Sequence, residues 1–114
     1  LYQGIKKDVK EVNKKLFTLE EDELLFLDTK INIDNNALEI LKMLQKNEQI
    51  TSNDIVAKLV DNGLSYDYAS KVKNKIIESL NEKFEFITGS NKPFINVSKS
   101  TQDKRIQILS LIKS

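Results

Sequence analysis

Residues 64–84 read LSYDYASKVKNKIIESLNEKF. Ala69, Val72, Ile76 and Leu80 step by three and four, so they form one stripe of a helix. With about 100° between successive residues, Lys71 and Asn74 fall opposite that stripe, and Ser70 and Lys75 lie on its flanks. Lys73 projects closer to the stripe, so its stem is expected on apolar surface with the amine reaching water. A helix buried on one side that offers Lys, Asn and Ser on the other suits a DNA groove. The same pattern also describes an ordinary solvated face.

Composition bounds what this helix can belong to. The chain has 114 residues, enough for one domain with a core of its own and a short extension. Its 18 Lys and Arg nearly balance 17 Asp and Glu, which argues against a strongly basic, non-specific nucleic-acid binder. There is no Cys and no His, so there is no disulfide framework or thiolate chemistry, and zinc and histidine acid–base catalysis are disfavoured. Neither a Gly-rich phosphate loop nor a nucleophile with its base is present. An enzyme, a cofactor and a metal are therefore not expected. The acidic run Glu20-Glu21-Asp22-Glu23 lacks the Asp-x-Asp spacing and Gly turn of a calcium loop and reads as a solvated turn. No apolar run has membrane-spanning length and nothing reads as a signal peptide, so a cytoplasmic location is expected. The chain opens at Leu1 rather than Met, as expected of a piece cut from a longer protein with an upstream domain.

Working outward from the helix, Tyr2, Ile5, Val9, Val12 and Leu16 form a heptad seam. It reads either as the end of a coiled coil that pairs two copies or as an amphipathic helix lying on the domain's own core. Residues 16–33 alternate short apolar runs with polar turns, the pattern of a small antiparallel meander. Asp34, Asn35 and Asn36 are N-cap residues for a helix carrying Leu38, Leu41 and Leu44. Ile50-Thr51 is a short extended step, and Thr51 or Ser52 caps a second helix ended by Asp61-Asn62-Gly63. After the long helix, Phe84-Glu85-Phe86-Ile87-Thr88 and Phe94-Ile95-Asn96-Val97 flank a Gly, Asn and Pro connection, which predicts a hairpin. Ile106, Leu109 and Ile112 then predict a last short helix over 101–113.

In this order, strands, three helices and a hairpin resemble the OmpR/PhoB-type winged helix-turn-helix domain of bacterial response regulators, over roughly residues 16–97. Residues 33–41 resemble that family's lead-in to its first helix, and residues 50–55 its step into the second. Tyr68-Ala69-Ser70-Lys71-Val72-Lys73-Asn74-Lys75-Ile76 resembles its recognition helix, with lysines where Arg or Lys is usual. Thr88-Gly89 and Phe94 resemble the wing's turn and aromatic. The chain departs from the family at Ala37, at Asn53, at Pro93 and in its extra helix after the wing.

The resemblance implies an α+β fold: an N-terminal short antiparallel sheet, a three-helix core and a C-terminal hairpin wing, with flanking N- and C-terminal helices. Residues 1–15 would be a helical extension and 16–114 the winged-helix domain. The implied function is sequence-specific binding of double-stranded DNA, as the output domain of a response-regulator-like transcription factor. The recognition helix, about 65–82, would enter the major groove and the wing, 85–97, would lie on the backbone. Lys71 and Asn74 are expected at the groove floor, Ser70, Lys75 and Tyr68 at edge phosphates, and Lys73 beside the stripe. Ser52 and Asn53 would meet phosphate at a helix start, and Asn91 and Lys92 at the wing tip. Asp67 and Glu78 share the outer face and count against phosphate approach. A homodimer through the 2–16 seam would compensate by tethering two copies. The competing expectation is a winged-helix protein–protein interaction module without DNA binding, which the near-neutral charge suits.

Overall fold

A computed structural model of the chain describes residues 15–113. Residues 2–14 of the heptad seam lie outside them. The chain divides into two compact units, one up to Asn32 and one from Ile33 to Lys113.

The first unit is an antiparallel meander of β1 (Phe17–Glu20), β2 (Glu23–Phe26) and β3 (Thr29–Ile31), in the order β1-β2-β3. Leu19 faces Leu24, and Leu24 faces Ile31, so one buried row runs across the sheet. Glu21 and Asp22, at φ 50° and 66°, make the two-residue turn between β1 and β2. The acidic run is thus a hairpin turn, and Glu23 lies 3.5 Å from the amine of Lys30.

The second unit runs α1 (Asn35–Lys46), β4 (Ile50–Thr51), α2 (Ser52–Asp61), α3 (Tyr66–Thr88), β5 (Ile95–Lys99) and β6 (Gln107–Leu111). Its strands pair antiparallel in the order β4-β6-β5. Each helix starts on a side-chain cap. Asp34 accepts from the Ala37 N–H at 2.8 Å, and Ser65 accepts from Tyr68 at 3.3 Å. Thr51 and Asp54 exchange two bonds in a capping box. Ile40, Leu41, Ile55, Leu59, Phe84, Phe94, Ile95 and Leu109 are its most deeply buried side chains.

The C-terminal third departs from the sequence expectation. The predicted strand at 84–88 is the end of α3. Leu80 and Phe84 continue the stripe of Ala69 and Lys73, and all four are buried. A strand would put Phe84 and Phe86 on one face. Instead Phe84 is fully buried and Phe86 is 90% exposed, as expected for helical residues two apart. The helix stops at Gly89, whose φ of 71° suits a residue without Cβ.

The hairpin predicted at 85–97 is therefore not formed there. The hairpin pairs β5 with β6, and residues 100–106 make its loop. The predicted C-terminal helix at 101–113 is absent, because residues 107–111 are the central strand β6. The spacing of Ile106, Leu109 and Ile112 fits a helix, yet β6 is held on both sides, with Ile50 facing Leu109 and Val97 facing Leu109 across it. Two-sided strand pairing outweighs a three-point helical pattern in so short a segment.

Asn81 joins α3 to the edge strand. Its side chain accepts from the Ile95 N–H at 2.8 Å and donates to the Ile95 carbonyl at 3.1 Å, taking the place of a neighbouring strand. Asn81→Ala leaves both groups of a fully buried residue unpaired. It is expected to destabilise the fold by about 1–3 kcal/mol, read from urea unfolding. An unchanged midpoint would show that the link carries no stability.

Candidate nucleic-acid interface

The capped start of α3 and its buried stripe orient the rest of the helix. Lys71, Asn74 and Lys75 are exposed on one side of its N-terminal half, Ser70 is half-buried, and Tyr68 is 56% exposed. Lys71, Asn74 and Lys75 thus share an exposed side, with Ser70 and Tyr68 on its two flanks. Asp67 and Glu78 border them on the same side, and Glu82 and Glu85 continue the exposed face toward the C-terminus. The face is thus basic in one half and acidic in the other. Asp67 has a local role as the acid of the first turn, favourable at the positive end of the helix.

Lys73 behaves differently from its expectation. Its side chain is buried at 7% exposure, and its amine turns to a protein partner, donating to Ser52 Oγ at 2.5 Å. Ser52 is the first residue of α2, so this bond ties the middle of α3 to the start of α2. Burial pushes the Lys73 amine below the ordinary lysine value of 10.5.

Asn91 and Lys92 do not sit at a hairpin tip. They follow the end of α3 and line a shallow depression with Glu78, Asn81, Glu82 and Glu85. The displaced hairpin is the reason. Its true loop carries Lys104 and Arg105, which sequence reasoning missed together with Lys99. These three line a cleft of about 240 Å³ with Ser52, Asn53, Ile106 and Gln107. The missed signal was the polar run Ser100 to Arg105 between the alternating segments 95–99 and 106–111.

The 100–106 loop is internally ordered. The Ser100 N–H donates to the Ile106 carbonyl at 2.9 Å, and Ser100 Oγ accepts from Gln102 and Asp103. Asp103 accepts from the Arg105 backbone and guanidinium, which holds its carboxyl below the ordinary range. Lys99 and Lys104 make no ion pair among the described residues.

Among the described residues no group of three or more His, Cys, Asp or Glu side chains is placed to hold a metal ion. No helix among them is long and apolar enough to cross a membrane. No protein-family model, curated protein or solved structure matches the chain.

The burial of Lys73 gives a pH-dependent prediction. Because its folded value lies below 10.5, the buried charge opposes folding at neutral pH, and that cost fades as pH rises from the lowered value toward 10.5. Lys73→Met keeps the stem and removes the charge, so it is expected to fold at least as stably as the parent at pH 7. Its advantage should shrink as pH rises through the lysine range. A large loss of stability at pH 7 would mean that the amine–hydroxyl bond outweighs desolvation.

Proposed function

We propose that residues 33–113 are a winged helix-turn-helix that binds double-stranded DNA, with α3 in the major groove and the 100–106 loop on the backbone as the wing. The observation that carries this reading is the order helix, short strand, helix, helix, hairpin, with β6 between β4 and β5, combined with Lys71, Asn74 and Lys75 exposed on α3. In a helix-turn-helix the second helix reads base edges while neighbouring elements grip phosphates. Asn74 can pair with both polar atoms of an adenine edge, and Lys71 with guanine acceptors. Lys75 and Ser70 reach phosphates at the groove edge, and Tyr68 offers a hydroxyl to another. Lys99, Lys104 and Arg105 take the wing place expected of Asn91 and Lys92, and buried Lys73 is support rather than contact.

The resemblance noted in the sequence extends the proposal to an output domain of a bacterial-type transcriptional regulator in the cytoplasm, carried by a longer chain. Its near-neutral charge implies few neutralised phosphates per copy and a shallow salt dependence. Dimerisation through the 2–16 seam would raise affinity at paired half-sites.

One observation favours the protein-interaction reading. Phe86 is 90% exposed on α3 and lines a shallow surface with Glu82 and Glu85. A site-selection experiment from random duplexes at low salt separates the two, followed by fluorescence anisotropy. Under the DNA reading, Lys71→Ala with Lys75→Ala lowers affinity about tenfold or more. Asn74→Ala costs about 1–3 kcal/mol and relaxes preference at one base pair. Lys104→Ala lowers the salt slope by about 1 across all sequences. Lys46→Ala on α1 serves as the neutral control. If no duplex is enriched, or the α3 variants bind like the parent, α3 is not a groove reader.

A further inference from the structure

We infer that Lys73 is a positioning residue that makes the cleft between the start of α2 and the 100–106 loop a receptor for a phosphate group. A lysine ammonium carries only donors, so Ser52 Oγ must accept the Lys73 bond. The Ser52 hydroxyl proton is then directed away from Lys73, and no described residue accepts it. Ser52 itself lines the cleft, so this committed donor is available there.

The rest of the lining is of the same kind. Lys99 and Lys104 bring cations with no ion pair among the described residues, and Arg105 brings a guanidinium that Asp103 holds in place. Ser52 and Asn53 open a ten-residue helix, where backbone N–H groups lack helical partners. No carboxylate among the described residues lines the cleft. Asp54 is occupied with the Thr51 N–H, and Asp103 with Arg105. Donors and positive charge thus meet from two elements with little to accept them, and the Lys73 ammonium bonded to Ser52 adds its field. The cleft, about 240 Å³, is smaller than the roughly 300–1,000 Å³ of small-molecule sites. A compact tetrahedral oxyanion, with acceptor oxygens on every side, answers that donor set.

Two sources supply such a group, free phosphate and a nucleic-acid phosphodiester. The second rests on the DNA reading and the first does not. Amide NMR titration of the full chain with inorganic phosphate, against chloride at equal ionic strength, tests the site. The expected result is saturable shifts at Ser52, Asn53 and residues 99–107 with phosphate only. Lys73→Met and Ser52→Ala should each weaken binding about tenfold, and the double variant no further, since Lys73 acts through Ser52. A merely structural lysine would not give that non-additivity. Should Lys73→Met fold poorly, Ser52→Ala alone still carries the test.

Shifts that do not saturate, or equal shifts with chloride, overturn the site. Unweakened phosphate binding by Lys73→Met or Ser52→Ala overturns the positioning role. A duplex arm separates the two proposals. Saturation by phosphate with no response to any duplex sustains the site and ends the DNA reading. A duplex that shifts residues 70–75 but leaves the cleft untouched sustains the DNA reading and overturns the site.

Discussion

Phe84 and Phe94 meet with ring centroids 5.3 Å apart and planes tilted by 32°, both fully buried. This contact, near the offset geometry that aromatic pairs favour, pins the last turns of α3 to the residue before β5. With the Asn81 link to Ile95 one residue on, it determines where the chain can leave the helix and begin a strand. The consequences run downstream. The connection from Gly89 to Phe94 turns the chain back, β5 starts at Ile95, and β6 returns between β5 and β4. The loop with Lys104 and Arg105 therefore lies beside the start of α2. Had residues 84–88 formed a strand, that loop would have carried Asn91 and Lys92 instead.

The helices were legible because each carries two independent signals, a polar cap and an apolar stripe. Asp34, Thr51 and Ser65 all cap as their residue types suggest, and the Gly63 stop has a φ of 104°. The meander was legible from its two-residue period and polar turns. Residues 84–88 were not, because Phe, Ile and Thr are strand-favouring types with no local mark of helix. Only the partner of Phe84 resolves them, and that partner is ten residues away. The segment 101–113 failed for a related reason. Its strand is specified by β4 and β5, elements distant in sequence, while three apolar residues at helical spacing spoke locally.

The same division holds at the candidate site. Periodicity gives an angle around a helix axis, so the exposure of Lys71, Asn74 and Lys75 follows from their place opposite the stripe. It gives no depth. Lys73 was read as near the stripe, but whether its amine reached water or a partner depended on what α2 placed against it. Ser52 occupies that place. Lys99, Lys104 and Arg105 were hidden because the hairpin pairs 95–99 with 107–111, further along the chain than the local pattern at 84–97 suggests.

Under the DNA reading, the split charge of α3 constrains docking. At about 1.5 Å rise per residue, Glu82 and Glu85 lie roughly 15–20 Å along the axis from Lys71, beyond the roughly 8 Å screening length of physiological salt. They scarcely oppose a phosphate held near Lys71. Glu78 at roughly 10 Å is marginal, and Asp67 at roughly 6 Å is well within range. The groove-facing stretch is therefore the short one from Lys71 to Lys75, with Asp67 at its border. A carboxylate there tolerates a cytosine amine and little else, so it penalises most sequences. A face of this kind gives up general affinity for discrimination, which is what a chain of net charge +1 requires if it reads DNA at all. Under the same reading, the cleft of Lys99, Lys104 and Arg105, which Asp67 does not line, supplies attraction through backbone contact that carries no sequence preference.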